Sequence, residues 1–332
     1  MKKFWIGGAI SIILLIFAFH KVNMGEIVQA LSKADYFLMI PAVVLTIVGL
    51  YLRAVRWRYL LQPVKSIGVP ELFSSLMIGF MANNLFPAHL GELVRAYVIG
   101  KKASISKSAS LATIVIERIL DGFAVLALLM LVLAFSPVPL SPWMRRGVIL
   151  VFAFYAAALT SLWALAYRTK TALAWIHAIS RFAPKLQMKM ESLFRSFVLG
   201  LEILRDGKRL GITAALSFCV WIPAGLGIYC IFAASDIHLS VWVAFFVLAW
   251  LCIGVMVPSA PGYLGTVQFV CVACLALYGV DRSRALSISI LYHVSQYVPV
   301  TIVGLAYAMK EGVSFKQIKQ SSQTFEVQKS DR

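Results

Sequence analysis

The stretch NNLFPAHLGELVRAY, from Asn83 to Tyr97, interrupts one of the most apolar parts of the chain. It brings together two asparagines, a proline, a histidine, a glutamate and an arginine. Hydrocarbon is a costly environment for such side chains, and polar residues at membrane depth are functional by default. The stretch therefore predicts a helix that breaks inside a membrane and forms part of a site there.

The rest of the chain has the composition of a membrane protein. Of its 332 residues, 61% are hydrophobic and 14% are charged, whereas a soluble domain carries about 25% charged residues. Apolar runs long enough to cross a bilayer recur along its length. We predict an all-α, polytopic transmembrane helix bundle that forms one integral membrane domain over residues 1–310, with a polar cytoplasmic tail over 311–332.

The apolar runs fall into complete and broken spans. Six runs are long enough to cross the membrane, at 4–19, 36–52, 111–135, 148–167, 210–234 and 285–309, and two broken regions lie at 72–99 and 241–279. If each broken region returns to the side it left, the loops on one side carry 24 of the 31 Lys and Arg residues and those on the other carry 6. The positive-inside rule then predicts that both termini are cytoplasmic. The net charge of +17 faces the anionic inner leaflet, so no nucleic-acid partner is expected.

The segment between the two halves, which cover about 1–170 and 210–310, has helical periodicity. Near residues 185–205, apolar side chains recur on one face and charged side chains on the other, the pattern of an amphipathic helix at the cytoplasmic membrane surface. A linker helix packed on the bundle is an equally good interpretation.

A short repeat links the two broken regions. Pro87-x-x-Leu90-Gly91 in the first matches Pro261-x-x-Leu264-Gly265 in the second, at a constant offset of 174 residues. The predicted topology makes the two regions enter from opposite sides, which is typical of inverted-repeat transporters with re-entrant hairpins. Such breaks meet near the membrane midplane, where free N–H groups and positive helix ends hold an anion. Kinked helices packed by their neighbours are the alternative.

Ionisable side chains at membrane depth concentrate beside the first break. We predict that they form one connected polar cluster, because an unpaired charge in hydrocarbon costs about 3 kcal/mol even on insertion scales. The expected partners are Arg118 with Glu92, or Arg95 with Glu117 or Asp121. In this cluster the cations Arg95 and Arg118 face three anions, which are Glu92, Glu117 and Asp121. The cluster is either a static latch or a site that shares an arginine with an anionic headgroup.

Other polar residues receive structural interpretations. Asn83 and Asn84 either cap the break or hydrogen-bond a headgroup. His89 and His293 are interpreted as helix-packing histidines rather than proton relays. Arg53, Arg56 and Trp57 end the second span, where arginine and tryptophan are ordinary membrane-interface anchors. Five cysteines lie in apolar runs, and the Cys271-x-x-Cys274 pair has no neighbouring His or carboxylate, so no metal or cofactor is predicted.

Four motifs in order along the chain resemble those of the flippase-like integral membrane family. They are RAVRW at 53–57, the stretch at 83–97, IERILDG at 116–122 and PSAPGYLGTVQ at 258–268. That family includes the transmembrane part of lysylphosphatidylglycerol synthases and the membrane region of some archaeal dolichol-linked glycosyltransferases. The resemblance implies a protein of the bacterial cytoplasmic (inner) membrane that moves, or helps to make, a lipid-linked molecule.

The resemblance also implies which residues serve the site. Arg53 and Arg56 are among the motif positions that it carries across. Substrate-binding positions are expected at Asn84, Glu92, Arg95, Glu117, Arg118, Asp121, Gly262, Gly265 and Gln268, and helix-break positions at Pro87, Gly91 and Pro261. Two departures bear on the headgroup or on ion coupling. Gln268 stands where the family pattern often has a glutamate, and His293 is the nearest polar residue where the last span often has an arginine.

Three functions compete on the sequence. The first is a flippase or transporter of an anionic phospholipid or a polyprenyl-phosphate-linked lipid, which needs no catalytic domain. The second is the membrane part of a phosphatidylglycerol lysyltransferase, although no metalloprotease, Walker, nucleophile-elbow or Rossmann motif is present. The third is a non-transporting scaffold for a membrane glycosyltransferase or lipid synthase. The expectation leans away from an enzyme.

Overall fold

A computed structural model describes residues 2–20, 22–86, 90–135, 142–180, 184–256 and 259–313. Pro87, His89 and the tail beyond 313 lie outside these ranges. The described residues form α-helices and two short 3-10 turns, with no strand among them. This confirms the predicted all-α class. The helices are α1 Lys2–Phe19, α2 Met24–Lys33, α3 Met39–Leu61, α4 Val69–Leu85, α5 Leu90–Lys102, α6 Lys107–Phe135, α7 Pro142–Tyr167, α8 Thr169–Ser180, α9 Pro184–Gly200, α10 Gly207–Ala234, α11 Val241–Gly254, α12 Thr266–Ala276 and α13 Arg282–Lys310.

Helix lengths separate complete spans from broken ones. Within the described ranges, α3, α6, α10, α13 and the part of α7 from Arg145 are long and apolar enough to cross a membrane, and α1 with α2 makes a sixth candidate if that bent pair counts as one. By contrast, α4, α5, α11 and α12 have 17, 13, 14 and 11 residues. At about 1.5 Å per residue none reaches across a hydrocarbon core of about 30 Å. These short helices occupy the two regions expected to be broken.

The 174-residue offset extends from the short motif to whole helices. Adding it to the bounds of α6 gives 281–309, and α13 runs from Arg282 to Lys310. Adding it to α5 gives 264–276, and α12 runs from Thr266 to Ala276. Each half therefore repeats the order long helix, short helix, break, short helix, long helix.

Helices from the two halves interlock. The α3 helix packs along its counterpart α10, and α13 packs on α4. A Cβ at Gly304 of α13 would lie 2.6 Å from the carbonyl oxygen of Met77 on α4, so this crossing requires glycine. The side chains around the first break are consequently in contact with helices of the second half.

The helix α9, which falls in the predicted amphipathic segment, packs on the start of α6. Ser108 Oγ donates to the carbonyl oxygen of Leu193 at 3.0 Å. Glu191 on the outer side of α9 accepts hydrogen bonds from Arg195 and His177, which lower the pKa of its carboxyl group. Leu193 and Met188 remain 42% and 65% exposed. The linker is thus packed on the bundle, and its contact with the membrane surface stays a prediction.

Candidate functional site

Two arginines of α3 bind a carboxylate of α6. Arg53 Nη1 lies 2.8 Å from Asp121 Oδ2, and Arg56 Nη1 lies 2.5 Å from Asp121 Oδ1. Arg56 Nη2 also lies 3.1 Å from Glu117 Oε1. Because Glu117 and Asp121 are one helical turn apart, they share a face of α6. The matching spacing of Arg53 and Arg56 on α3 presents two guanidinium groups to the two carboxylates.

Arginines of α5 and α6 complete the cluster. Arg95 forms a bidentate pair with Glu117, with N–O distances of 3.0 and 2.6 Å. Arg118 Nη2 lies 2.8 Å from Glu117 Oε1 and 3.6 Å from Asp121 Oδ2. Four of the five predicted charged residues are therefore brought together. Glu92 makes no ion pair within the described part of the chain, so of the alternative pairings the structure has Arg95 with Glu117 and not Arg118 with Glu92.

The interpretation of Arg53, Arg56 and Trp57 as interface anchors is wrong in this structure. Arg56 and Trp57 are fully buried and Arg53 is 8% exposed. Trp57 Nε1 donates to Thr113 Oγ1 at 3.0 Å, and the Arg95 guanidinium lies 3.6 Å from the centre of the indole ring. The physical reason is the pair of carboxylates on α6, since paired charges avoid most of the cost that drives arginine to a membrane surface.

This correction reverses the charge of the interior. The sequence suggested two arginines against three carboxylates. The structure gathers four arginines around Glu117 and Asp121, with Glu92 nearby. With every group ionised, the formal charge of these seven residues is +1 rather than −1. An anion thus fits the site better than a cation does.

Two adjoining cavities flank Arg118. Their volumes are about 180 and 280 Å³, which at roughly 30 Å³ per water corresponds to about six and nine molecules. Both are lined by Arg118, Trp221, Cys252 and Tyr263. Arg118 has 38% of its side chain exposed, against at most 10% for Arg53, Arg56 and Arg95. It is thus the arginine of the cluster most open to a ligand.

The smaller cavity is lined by Glu92, the carboxylate that forms no ion pair with the arginines of the cluster within the described residues. Glu92 and Asp121 line it, together with Tyr155 from α7. Glu92 Oε2 is buried and has no hydrogen-bond partner among the described residues. Trp221 and Cys252 also line this wall, and no signal in the sequence distinguished them from ordinary apolar helix residues.

Asparagines join the two breaks. Asn83 Oδ1 accepts a hydrogen bond from Gly91 N at 2.7 Å, so Asn83 contacts the start of α5. Asn84 Nδ2 instead donates to Thr301 Oγ1 on α13 at 2.9 Å. A Cβ at Gly262 would lie 3.3 Å from the Asn84 carbonyl oxygen. The end of the first short helix and the second break are therefore in contact, as the repeat predicted.

The second break is held by neutral groups. Pro261 begins a 3-10 turn, and Gly262 and Gly265 have φ of +66° and +86°, a region that favours glycine. Gln268 Oε1 accepts from Gly265 N at 2.8 Å, and Gln268 Nε2 lies 3.1 Å from His293 Nδ1. The two residues that depart from the family pattern therefore contact each other.

The described residues include no group of three or more His, Cys, Asp or Glu side chains that could hold a metal ion. The side chains that line the smaller cavity include arginine, carboxylate, tyrosine, tryptophan and cysteine groups. Such a set can bind and orient a polar ligand.

Comparisons with known proteins agree with the motifs. The family described as Lysylphosphatidylglycerol synthase TM region matches residues 4–304. A UPF0104 membrane protein of Methanothermobacter thermautotrophicus is 32% identical over 306 residues, covering 86% of this chain and 88% of the relative. A UPF0104 membrane protein of Methanocaldococcus jannaschii is 27% identical and covers 67% of this chain and 90% of the relative.

A third similarity is partial. Glycosyltransferase AglD of Haloferax volcanii is 31% identical over 104 residues, which are 30% of this chain and 16% of that protein. No solved structure matches the chain. The match over residues 4–304 decides the assignment: this chain is a multi-pass membrane protein that belongs to the Lysylphosphatidylglycerol synthase TM region family.

Proposed function

We propose that this protein is a lipid flippase that holds the anionic headgroup of a membrane lipid between its two halves and moves it across the bilayer. The observation that carries the proposal is the cluster of four arginines, three of them buried, with its excess positive charge beside two cavities. A phosphate group supplies the missing negative charge. It also supplies acceptor oxygens, which arginine binds in a bidentate manner.

Arg118 is the headgroup-binding residue in this proposal. Arg56 and Arg95 are committed to Glu117 and Asp121 and are closed off from the cavities. Arg118 reaches the same carboxylates but keeps more than a third of its side chain exposed to the two cavities. The other three arginines balance the negative charge of Glu117 and Asp121. The charge of Arg118 is therefore available to a ligand.

The proposed orientation places both termini on the cytoplasmic side of the cytoplasmic membrane. The distribution of Lys and Arg supports it, with 24 of 31 on one side of the predicted topology. The relatives named above are archaeal, so the proposal is made for a cytoplasmic membrane of either bacterial or archaeal type. In this orientation α6 and α13 cross in opposite directions.

Reconstitution into liposomes tests the proposal. The purified protein is incorporated with phosphatidic acid or phosphatidylglycerol labelled on an acyl chain, and the fraction transferred to the outer leaflet is followed by dithionite quenching. We expect transfer by the wild type and a loss of at least about tenfold in Arg118→Gln, the scale of one charge-assisted hydrogen bond. Arg118→Gln should remain folded, because Glu117 and Asp121 keep their other arginines.

The matched control is Arg195→Gln. Arg195 is also paired with a glutamate, Glu191, but lies on the linker helix with 61% of its side chain exposed. Its transfer rate should equal that of the wild type. Equal rates in Arg118→Gln and the wild type, or no transfer of any anionic lipid by the wild type, would contradict the proposed function.

A second candidate is a non-transporting companion of a membrane glycosyltransferase or lipid synthase. The similarity of 104 residues to a protein named glycosyltransferase AglD favours it. In that case the cluster would hold a lipid-linked substrate for a partner enzyme. The purified protein would then bind lipid without transferring it between leaflets, so the liposome assay separates the two functions.

A further inference from the structure

The larger cavity changes character along its length. Arg53 and Arg118 line it, and so do Thr46, Asn84, Gln296, Tyr297 and His293. Thr46 precedes Arg53 by two turns of α3, about 10 Å along the helix axis, and Gln296 contacts Thr46. Among the described lining residues, the two arginines are the charged ones at neutral pH apart from any charge on His293. A ligand that fills the cavity therefore meets cations at one end and neutral hydrogen-bonding groups at the other.

The hydrogen-bond network fixes the orientation of the Gln296 amide. Thr46 Oγ1 donates to the carbonyl oxygen of Ala42 at 2.8 Å, so its hydrogen is committed. The contact of 2.6 Å between Gln296 and Thr46 must therefore use the Gln296 NH2 group as donor. Gln296 Oε1 is left as an acceptor, and no described residue donates to it.

The same logic fixes Asn84. Thr301 Oγ1 donates to the Tyr297 carbonyl oxygen at 2.6 Å, so the contact of 2.9 Å between Asn84 and Thr301 uses the Asn84 NH2 group as donor. The same NH2 group lies 3.3 Å from the Tyr297 carbonyl oxygen. Asn84 Oδ1 is therefore a second acceptor to which no residue in the described ranges donates. The two residues that carry these acceptors, Asn84 and Gln296, both line the cavity.

Acceptors of this kind call for hydrogen-bond donors in the ligand. Phosphate oxygens are acceptors and do not fit them, whereas hydroxyl groups do. An ammonium group is also a donor, but it would enter a cavity whose charged wall consists of arginines. The unpaired carboxylate of Glu92 lines the other cavity. Neutral hydroxyls are consequently the chemical group that suits this end.

We infer that the headgroup taken by this site is a phosphate-linked polyol, with the phosphate at Arg118 and Arg53 and its hydroxyls at Gln296 and Asn84. This inference rests on the proposed function and specifies its substrate class. Such a headgroup occurs on phosphatidylinositol and other polyol glycerophospholipids, and on polyprenyl-phosphate sugars. The shared chemistry is a phosphodiester with an uncharged, hydroxylated substituent.

Binding of defined lipids to the full-length protein in detergent, measured by native mass spectrometry, tests the inference. The probes are phosphatidic acid, phosphatidylethanolamine, phosphatidylinositol and a polyprenyl-phosphate hexose. We expect the last two to bind at least about fivefold more tightly than the first two, the effect of one or two neutral hydrogen bonds. The tighter of these two identifies the glycerophospholipid or polyprenyl source.

Gln296→Leu should bring the affinity for the polyol lipids down to that for phosphatidic acid. Gln62→Leu, an exposed glutamine at the end of α3, is the control and should keep the preference. If Gln296→Leu does not fold, Gln296→Met, which has a similar length and lacks the amide oxygen, replaces it. It should remove the preference for the polyol lipids in the same way.

The outcomes separate the two levels of the proposal. Equal affinity of the wild type for phosphatidic acid and the polyol lipids overturns the polyol inference and leaves the flippase proposal standing. An unchanged preference in the folded Gln296 variant also overturns it. Failure to bind any of the phosphate lipids contradicts the proposed function itself.

Discussion

The two halves of the molecule share their helix order and differ in their charge. At the 174-residue offset, Arg53 and Arg56 correspond to Gly227 and Cys230. Glu117, Arg118 and Asp121 correspond to Leu291, Tyr292 and Ser295. The backbone repeats the broken-helix geometry, while the ionic site has been built in the first half alone. Repeated architecture and repeated chemistry are therefore separate properties of this fold. The second half contributes neutral side chains to the wall of the larger cavity.

The largest expected effect concerns the opposite directions of the two halves. Lys107 and Arg282 begin the equivalent helices α6 and α13. In a background without the five native cysteines, Lys107→Cys should react with an impermeant maleimide from the cytoplasmic side only. Arg282→Cys should react from the opposite side only. Labelling of both cysteines from the same side would contradict the opposite orientation of the two halves.

The next effect tests how far the stability of the first half depends on its buried ion pairs. Glu117 is fully buried and contacts Arg56, Arg95 and Arg118. Glu117→Gln leaves these arginines short of a counter-charge, and breaking a buried pair costs about 3–5 kcal/mol. We expect a large loss of thermal stability in a fluorescence size-exclusion assay. Glu191→Gln, on the exposed linker, should leave the melting temperature unchanged; equal behaviour of the two variants would refute the argument.

A smaller effect on stability tests whether the two breaks are equally tightly packed around their glycines. A Cβ at Gly91 would overlap the Gly79 carbonyl oxygen, and one at Gly265 would lie 2.5 Å from the Ser11 carbonyl oxygen. Gly91→Ala and Gly265→Ala should each destabilise by about 1–3 kcal/mol through overpacking. Gly211→Ala, in α10 with open space around it, should be neutral or stabilising by about 0.5–1 kcal/mol. Thermal unfolding of the three variants checks this order.

The smallest effect compares two arginine-covered tryptophans. Trp57 in the first half has Arg95 over its ring and donates to Thr113. Trp221 in the second half lies under Arg53, but its Nε1 has no hydrogen-bond partner among the described residues. Trp57→Phe should therefore cost about 1 kcal/mol more than Trp221→Phe. A greater loss of melting temperature in Trp221→Phe would contradict this.

Much of the architecture follows from the sequence because it rests on local patterns. Apolar run length predicts the long helices, and the paired P-x-x-L-G motifs predict the repeat. The proximity of the breaks follows from the same symmetry. Glu117 and Asp121 could be placed on one face because their spacing fixes it within a single helix.

The remainder of the site depends on pairings between distant segments. The apolar run predicts that the second span ends at residue 52, before Arg53, yet α3 continues to Leu61. A span boundary drawn at the first charge fails where that charge is neutralised inside the protein, and Asp121 is 68 residues away from Arg53. Likewise, Gln268 and His293 are 25 residues apart on different helices, and only the fold brings them into contact.

The distance along the chain between the arginines of α3 and the carboxylates of α6 also sets an order of events during synthesis. Arg56 leaves the ribosome 65 residues before Asp121, which is several seconds at about 5–20 residues per second. During that interval Arg53 and Arg56 of α3 have no Asp121 to pair with. The ion pairs that bury these two arginines therefore form only after α6 has been made, so the first half completes its interior as a unit rather than helix by helix.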